Sequence, residues 1–86
     1  MDKQQRASEI QIRKMALDEL ELIFSAEFSD IAGGLMAPLF AGLTELIKRG
    51  MFDRARVLVS SVTTPPPTIT AERMEEVKAL IISKIP

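Results

Sequence analysis

The chain contains no cysteine, histidine, tryptophan or tyrosine among its 86 residues. Without cysteine there can be no disulfide, and without cysteine and histidine nearly every zinc or transition-metal site is excluded. The same absences remove the side chains that most often perform acid–base and nucleophilic chemistry, and no serine lies in a G-x-S-x-G motif. The sequence therefore predicts a protein that is not an enzyme, with no catalytic and no cofactor-binding residues.

Acidic residues are the remaining candidates for binding a hard cation. Calcium loops alternate carboxylates around a central glycine, whereas the two acidic groups here lie within predicted helices, at spacings typical of a solvated surface. We therefore expect no metal site. The two groups are Asp18, Glu19, Glu21 and Glu72, Glu75, Glu76.

The chain also has no large excess of charge of either sign, and it has few aromatic side chains. Eleven basic residues face 12 acidic ones, for a net charge of -1, so the chain has no overall attraction to nucleic acid or anionic membranes. Its four aromatic residues, all phenylalanine, are too few for a base-stacking platform. The uncharged stretch 31–43 is shorter than the roughly 20 residues of a membrane-spanning helix. The N-terminus lacks an apolar signal region, which indicates a cytoplasmic protein.

Apolar side chains, in contrast, are plentiful, at 47% of the chain. A chain of this length forms a single domain and buries only about 60% of its unfolded surface. With disulfides and metals excluded, self-association or docking into a larger complex remains as the source of extra stability.

The pattern over residues 8–32 predicts one long helix that follows a polar N-terminal arm, residues 1–7. Ser8 with Gln11 matches a capping box, and Asp2 with Gln5 offers an earlier start. Apolar residues occupy two sides of this helix, which indicates that more than one neighbour covers it. One side carries Ile10, Leu17, Leu20, Phe24, Phe28 and Ile31, and the other carries Ile12, Met15, Leu22 and Ile23.

The segment SDIAGGLMAPLF, residues 29–40, interrupts the apolar run with two glycines and a proline. It has neither phosphate-binding glycine motif. Gly33 and Gly34 suit a helix end, and Pro38 suits the first turn of the next helix. We interpret Gly33, Gly34 and Pro38 as a hinge; the alternative is a helix that starts at Asp30 and kinks at the proline.

A second helix is predicted from near Pro38 to about Arg49, with Gly50 as its C-terminal stop. A third helix follows, with Asp53 as its N-cap, although the β-branched VLVSSV also permits a strand. Its core positions are Ala55, Leu58, Val59 and Val62. The stretch LFAGLTELIKRGMFDRARVLV resembles one hairpin of a helical-repeat protein. It is also similar to the C-terminal helical domain shared by a vesicle-coat scaffold protein and the steroid receptor RNA activator protein. The resemblance implies an antiparallel helix pair and no particular site residues.

Residues 63–69 form a Pro-rich connector that we interpret as a spacer, because Thr68 breaks the P-x-x-P pattern. Thr70 then caps a fourth helix, and Ile69 and Met74 are spaced for a hydrophobic staple. The apolar stripe of this helix comprises Met74, Val77, Ile81 and Ile85, widened by Leu80 and Ile82.

The sequence thus predicts an all-α domain of four helices: one long N-terminal helix, an antiparallel hairpin and a C-terminal helix. We expect a structural or adaptor subunit that works through helix packing, in a homo-oligomer or a larger assembly such as a viral particle. Its partner is a protein or a second copy. The predicted interface residues are Ile12, Met15, Leu22, Ile23, Leu80 and Ile82.

The alternative is a small regulator that binds nucleic acid, or a nucleic-acid-binding protein, at a basic helix–turn–helix corner. Against it, a helix that reads bases carries several polar side chains, whereas Val57 lies on the outer side of the third helix. The residues of this basic corner are Lys48, Arg49, Arg54 and Arg56.

Overall fold

The computed structural model describes residues 3–28, 36–67 and 69–86, with side chains from residue 8 onward. Four helices form the fold, and the described residues contain no strand. They are α1 (Lys3–Phe28), α2 (Ala37–Lys48), α3 (Phe52–Ser60) and α4 (Ala71–Lys84). The predicted all-α class with four helices is confirmed, and the strand alternative for VLVSSV is wrong.

The start of the first helix differs from the favoured prediction. The helix already includes Lys3, five residues before the expected N-cap Ser8, so residues 3–7 are helical rather than an arm. Lys, Gln, Arg and Ala are good helix formers, and nothing in this segment stops the helix. The start therefore agrees better with the earlier, competing signal at Asp2 and Gln5. The predicted end near Gly33 and Gly34 lies outside the described residues.

Helix α2 begins as predicted, with Pro38 in its first turn, where a missing backbone N–H costs nothing. Its C-terminus forms a complete Schellman motif. The N–H of Gly50 donates to the carbonyl of Ile47 (3.0 Å), and the N–H of Met51 donates to the carbonyl of Leu46 (2.9 Å). Gly50 has a φ of 73°, in the left-handed region that glycine adopts without strain. Gly50 is therefore confirmed as the predicted C-terminal stop of α2.

Replacing Gly50 with alanine is expected to lower the free energy of unfolding by about 1–2 kcal/mol, because an L residue is strained in the left-handed region. A Cβ atom there would also lie 2.8 Å from Nη2 of Arg13. Urea unfolding followed by circular dichroism measures the loss. Repeating the change in an Arg13→Ala background removes the contact and leaves the backbone strain. A Gly50→Ala variant as stable as the parent in both backgrounds would contradict this explanation.

The start of α3 corrects a second prediction. The N-cap is Met51, and Asp53 lies within the first turn instead, where it accepts a hydrogen bond from Arg56. The Schellman turn fixes the chain direction so closely after Gly50 that helical geometry resumes at Phe52. An acidic residue in the first turn still interacts favourably with the helix dipole.

Helix α4 begins as predicted. The hydroxyl oxygen of Thr70 accepts a hydrogen bond from the N–H of Arg73 (3.0 Å), and Glu72 lies in the first turn. The connector before it is non-helical in its described residues, and Ile69 packs against the core, as a staple position requires.

The helices enclose one apolar core. Helix α1 packs on α2 and α4, and α3 packs on the same two helices. Ion pairs join Glu27 to Arg73 and Glu19 to Lys84, so α1 and α4 are antiparallel. The largest fully buried side chains are Phe24, Leu20, Leu43, Ile47, Met74, Ile81, Val59 and Val77.

One predicted core position is exposed. Ile10 shares the phase of Phe24 but keeps 59% of its surface accessible. Helix lengths explain this: α1 spans about 39 Å, whereas α2 and α4 span only about 18 and 21 Å. The shorter neighbours therefore leave the N-terminal turns of α1 uncovered.

Candidate interaction surface

Three large apolar side chains of α1 point away from the core. Ile12, Met15 and Leu22 are 52%, 54% and 70% exposed. Their spacings of three and seven residues place them on one side of the helix. We call these three residues the α1 stripe. Contiguous exposed apolar surface on a small protein often marks an interaction site.

The opposite side of α1 is already used by the fold. Leu20, Phe24 and Phe28 are buried against the other helices. The two apolar sides predicted from the sequence therefore have different environments. Most of the first side builds the core, and three of the four residues of the second side are left on the surface of a single chain.

The predicted interface residues divide between these environments. Leu80 on α4 is 39% exposed, whereas Ile23 and Ile82 are half-buried and pack against the core cluster. Ile23 and Ile82 therefore belong to the fold of the single chain, and of the two predicted residues on α4 only Leu80 is exposed.

Ion pairs between α1 and α4 border the α1 stripe. The Nζ of Lys84 lies 3.3 Å from Oε2 of Glu19. The guanidinium of Arg73 donates to both carboxylate oxygens of Glu27 and to Glu76. These bonds, the one to Glu27 foremost, raise the pKa of Arg73 further above its already high ordinary value. Arg73 is therefore charged at every working pH, and the boundary of the surface is permanently polar.

A groove of about 310 Å³ lies between the α1 stripe and the C-terminal end of the chain. Its wall on α1 consists of Ile12, Met15, Ala16 and Glu19, which are residues i, i+3, i+4 and i+7. Four residues at this spacing form the kind of hole that accepts a side chain from a packed helix. The far wall is residues 83–86, including Lys84.

A second apolar groove, of about 510 Å³, lies on α2 and α3. Leu46, Val57 and Leu58 form its apolar part, and Val57 is 67% exposed. Sequence reasoning placed Val57 on the outer side of its helix but did not include it in an interface. The signal was an apolar side chain outside the predicted core arc.

The basic corner is partly neutralised by its own neighbours. Arg49 pairs with Glu45 at 2.9 Å, and Arg56 pairs with Asp53 at 2.8 Å. Arg56 also donates to the main-chain oxygen of the last residue, Pro86. The remaining members are Lys48, whose carbonyl accepts a bond from Arg13, and Arg54, which lines the second groove.

The acidic residues follow the same pattern. Glu19, Glu75 and Glu76 pair with Lys84, Lys78 and Arg73. Within residues 3–28, 36–67 and 69–86, no three acidic side chains come together in a way that could hold a metal ion. In the same ranges, none of the helices combines the length and the apolarity needed to cross a membrane.

The fold and this surface together define the class: a small four-helix domain with an uncovered apolar side on its longest helix. Comparison with known proteins adds nothing to this class, because no family model, curated protein or solved structure matches the chain.

Proposed function

We propose that this protein is a non-enzymatic structural or adaptor subunit that works by helix packing, with the α1 stripe as its contact surface. The observation that supports the proposal most strongly is that α1 has apolar side chains both in the core and on the surface. Leu20 and Phe24 are fully buried in the fold, while Leu22, between them in the sequence, is 70% exposed. We attribute the exposure of an apolar side chain of that size, next to buried core residues of the same helix, to a partner.

Covering the stripe would stabilise an assembly. Full burial of a Leu, Ile or Met side chain is worth about 1.5–3 kcal/mol, so half-exposed ones contribute about 1 kcal/mol each. Leu80 adds to this. A partner that lays an amphipathic helix along α1 gains from all four residues together, which is a common mode of protein recognition.

The exchange of Leu22 for lysine is expected to disrupt the assembly and leave the fold intact. Its side chain contributes little to the core, so helicity and thermal stability should stay close to those of the parent. Ile23→Lys is the contrasting variant: it disturbs a side chain packed on the core and should cost about 1 kcal/mol or more in stability. Circular dichroism separates the two effects.

The assembly itself is measured as native mass, by size-exclusion chromatography with light scattering on extracts of cells that make the tagged chain. We expect the parent in a particle larger than its 9.5 kDa and Leu22→Lys near 9.5 kDa. Val57→Lys, equally exposed but on the second groove, is the matched control and should keep the parent mass. A Leu22→Lys variant of parent size would rule out the α1 stripe.

The basic corner gives less support to a nucleic-acid function. Arg49 and Arg56, two of its four residues, already have carboxylate partners that lower the local positive potential. Titration of the purified chain with duplex DNA tests this alternative. Binding that weakens steeply from about 50 to 200 mM salt would favour it.

A further inference from the structure

We propose that the occupant of the α1 stripe is a basic amphipathic helix of a partner protein, with apolar side chains on one face and lysine or arginine along its edges. This inference deepens the proposed function and rests on it, because it names the chemistry of the partner. Its support is the sign of the charges beside the stripe, the groove at Glu19 and the length of the exposed surface.

The charges beside the α1 stripe are acidic. At about 100° per residue, Asp18 and Glu19 lie within about 60° of both Met15 and Leu22 around the helix, one on each side. A partner that covers the stripe therefore meets negative charge at both edges. From residue 15 to residue 28, α1 has four acidic residues and no basic one: Asp18, Glu19, Glu21 and Glu27.

The basic residues of α1 whose side chains are described lie on another side of the helix. Arg13 donates to the carbonyl of Lys48 and lies over the ring of Phe52, so it is directed toward α2 and α3. Lys14 lines a separate groove together with Lys48. These cations therefore do not neutralise the acidic edges of the α1 stripe.

The cations of α4 next to α1 are matched by carboxylates of the chain itself. Lys84 pairs with Glu19, and Arg73 is shared between Glu27 and Glu76. Two cations thus meet three carboxylates, so this border keeps an excess of negative charge. The excess favours a positively charged partner and disfavours nucleic acid or an anionic membrane as the occupant.

An apolar partner without cations would fit this surface poorly. Among the described side chains, no cation lies within ion-pair distance of Asp18. Glu19 forms one wall of the groove of about 310 Å³, together with Ile12 and Met15. A carboxylate can accept about four hydrogen bonds, so Glu19 keeps acceptor capacity beside Lys84. Covering these carboxylates without a cation costs free energy, whereas a lysine or arginine of the partner would satisfy them.

The exposed surface has the length and shape that suit a helix. Ile12 and Leu22 are ten residues apart, which is about 15 Å along α1. A helix of about 18 residues is about 27 Å long and covers this distance with side chains to spare at both edges. Amphipathic helices recognise such apolar surfaces through residues at positions i, i+3, i+4 and i+7.

Two synthetic peptides test the sign of the partner's charge. Both have about 18 residues with leucine at the helical positions i, i+3, i+4 and i+7, and the other positions are all lysine in one peptide and all glutamate in the other. Fluorescence anisotropy of each labelled peptide, titrated with the purified chain, measures its affinity. We expect the lysine peptide to bind at least about tenfold more tightly at about 50 mM salt, and the difference to shrink at about 200 mM.

A charge reversal on the chain tests the position of the contact. Asp18→Lys should weaken binding of the lysine peptide by about fivefold or more and strengthen binding of the glutamate peptide. Glu45→Lys is the matched control, because it makes the same change in net charge at a side chain of α2 that is 58% exposed. It should leave both affinities within about twofold of the parent. Amide chemical shifts of the isotope-labelled chain should change most around Met15 and Leu22.

Several results would overturn the inference. Equal affinity for the two peptides would show an apolar contact without charge selection, and failure of the lysine peptide to bind would exclude a basic helix. Equal effects of Asp18→Lys and Glu45→Lys, or shifts centred on Val57, would show that binding occurs elsewhere. A parent chain that dimerises through Leu22 would make a second copy the occupant. None of these results changes the native-mass comparison of Leu22→Lys with Val57→Lys, so failure of the basic helix and failure of the proposed function are distinguishable.

Discussion

Phe24→Ala is expected to lower the free energy of unfolding by about 3–5 kcal/mol, the cost of removing a large aromatic side chain from a packed core. Phe24 is fully buried, and its ring centroid lies 5.2 Å from that of Phe28 and 5.1 Å from that of Phe40. These three rings join α1 to α2, so the cavity would open between these two helices.

This loss is large compared with the total free energy of unfolding of the domain. At about 0.05–0.15 kcal/mol per residue, a domain of this length has roughly 4–13 kcal/mol of stability in total. We therefore expect the urea midpoint of Phe24→Ala to lie well below that of the parent. Phe24→Leu, which refills most of the space, should lose only about 1 kcal/mol.

The matched control is Leu22→Ala, two residues away on the same helix. Its side chain is on the surface, so the change should stay within about 0.5 kcal/mol of the parent. Equal losses at positions 22 and 24 would show that both sides of α1 are buried in the isolated chain. The α1 stripe would then be ordinary core.

The helix ends at Gly50 and Thr70 show what a sequence can reveal. Gly50 and Thr70 were identified correctly because each acts on residues within four positions of itself, through a left-handed turn or a capping hydroxyl. Asp53 and Ser8 carry similar local signals but are not caps. At Asp53 the Schellman turn resumes the helix earlier, and at Ser8 the preceding residues are helix formers themselves.

Contacts between distant residues could not be read in the same way. Arg13 donates to the carbonyl of Lys48 and lies over the ring of Phe52, 5.9 Å from its centroid. Periodicity gives the direction of a side chain around its own helix but not the element that comes to meet it. The cap that Arg13 provides for α2 was therefore missed.

The candidate interaction surface was likewise only partly predictable from the sequence. The sequence predicted two apolar sides on the first helix, and both exist. It could not decide which side the other helices would cover, nor separate Leu22 from Ile23, which are neighbours only 100° apart around the helix. Burial depends on where α4 packs, and that is set by the core as a whole.

Lys78 is the clearest residue that local reasoning missed, and its removal has the second largest expected effect. It lies on α4, is only 9% exposed, and reaches across to the end of α3. Its Nζ donates to the carbonyl of Val62 at 2.7 Å and, at a longer 3.5 Å, to that of Ser60. A cation there satisfies carbonyls left free at the helix end and neutralises the negative end of its dipole.

Lys78→Met is expected to lower the free energy of unfolding by about 2–3 kcal/mol, because hydrogen bonds from a charged donor are worth about 1.5–3 kcal/mol and the part-buried carbonyls lose their partner. Methionine keeps most of the length and packing of the side chain, so the loss of stability measures what the Nζ donor of Lys78 contributes. Urea unfolding measures it, and hydrogen exchange should show faster opening at the C-terminal turn of α3 than elsewhere.

Lys84→Met is the matched control on the same helix. Its ion pair with Glu19 is about half exposed, and such pairs contribute about 0–1 kcal/mol. If Lys78→Met and Lys84→Met lost the same stability, Lys78 would be a surface ion-pair residue of ordinary weight. A larger loss at Lys78, centred on α3, would instead show that the hairpin and the last helix are held together by a charge reaching across 16 residues of chain, from Val62 to Lys78.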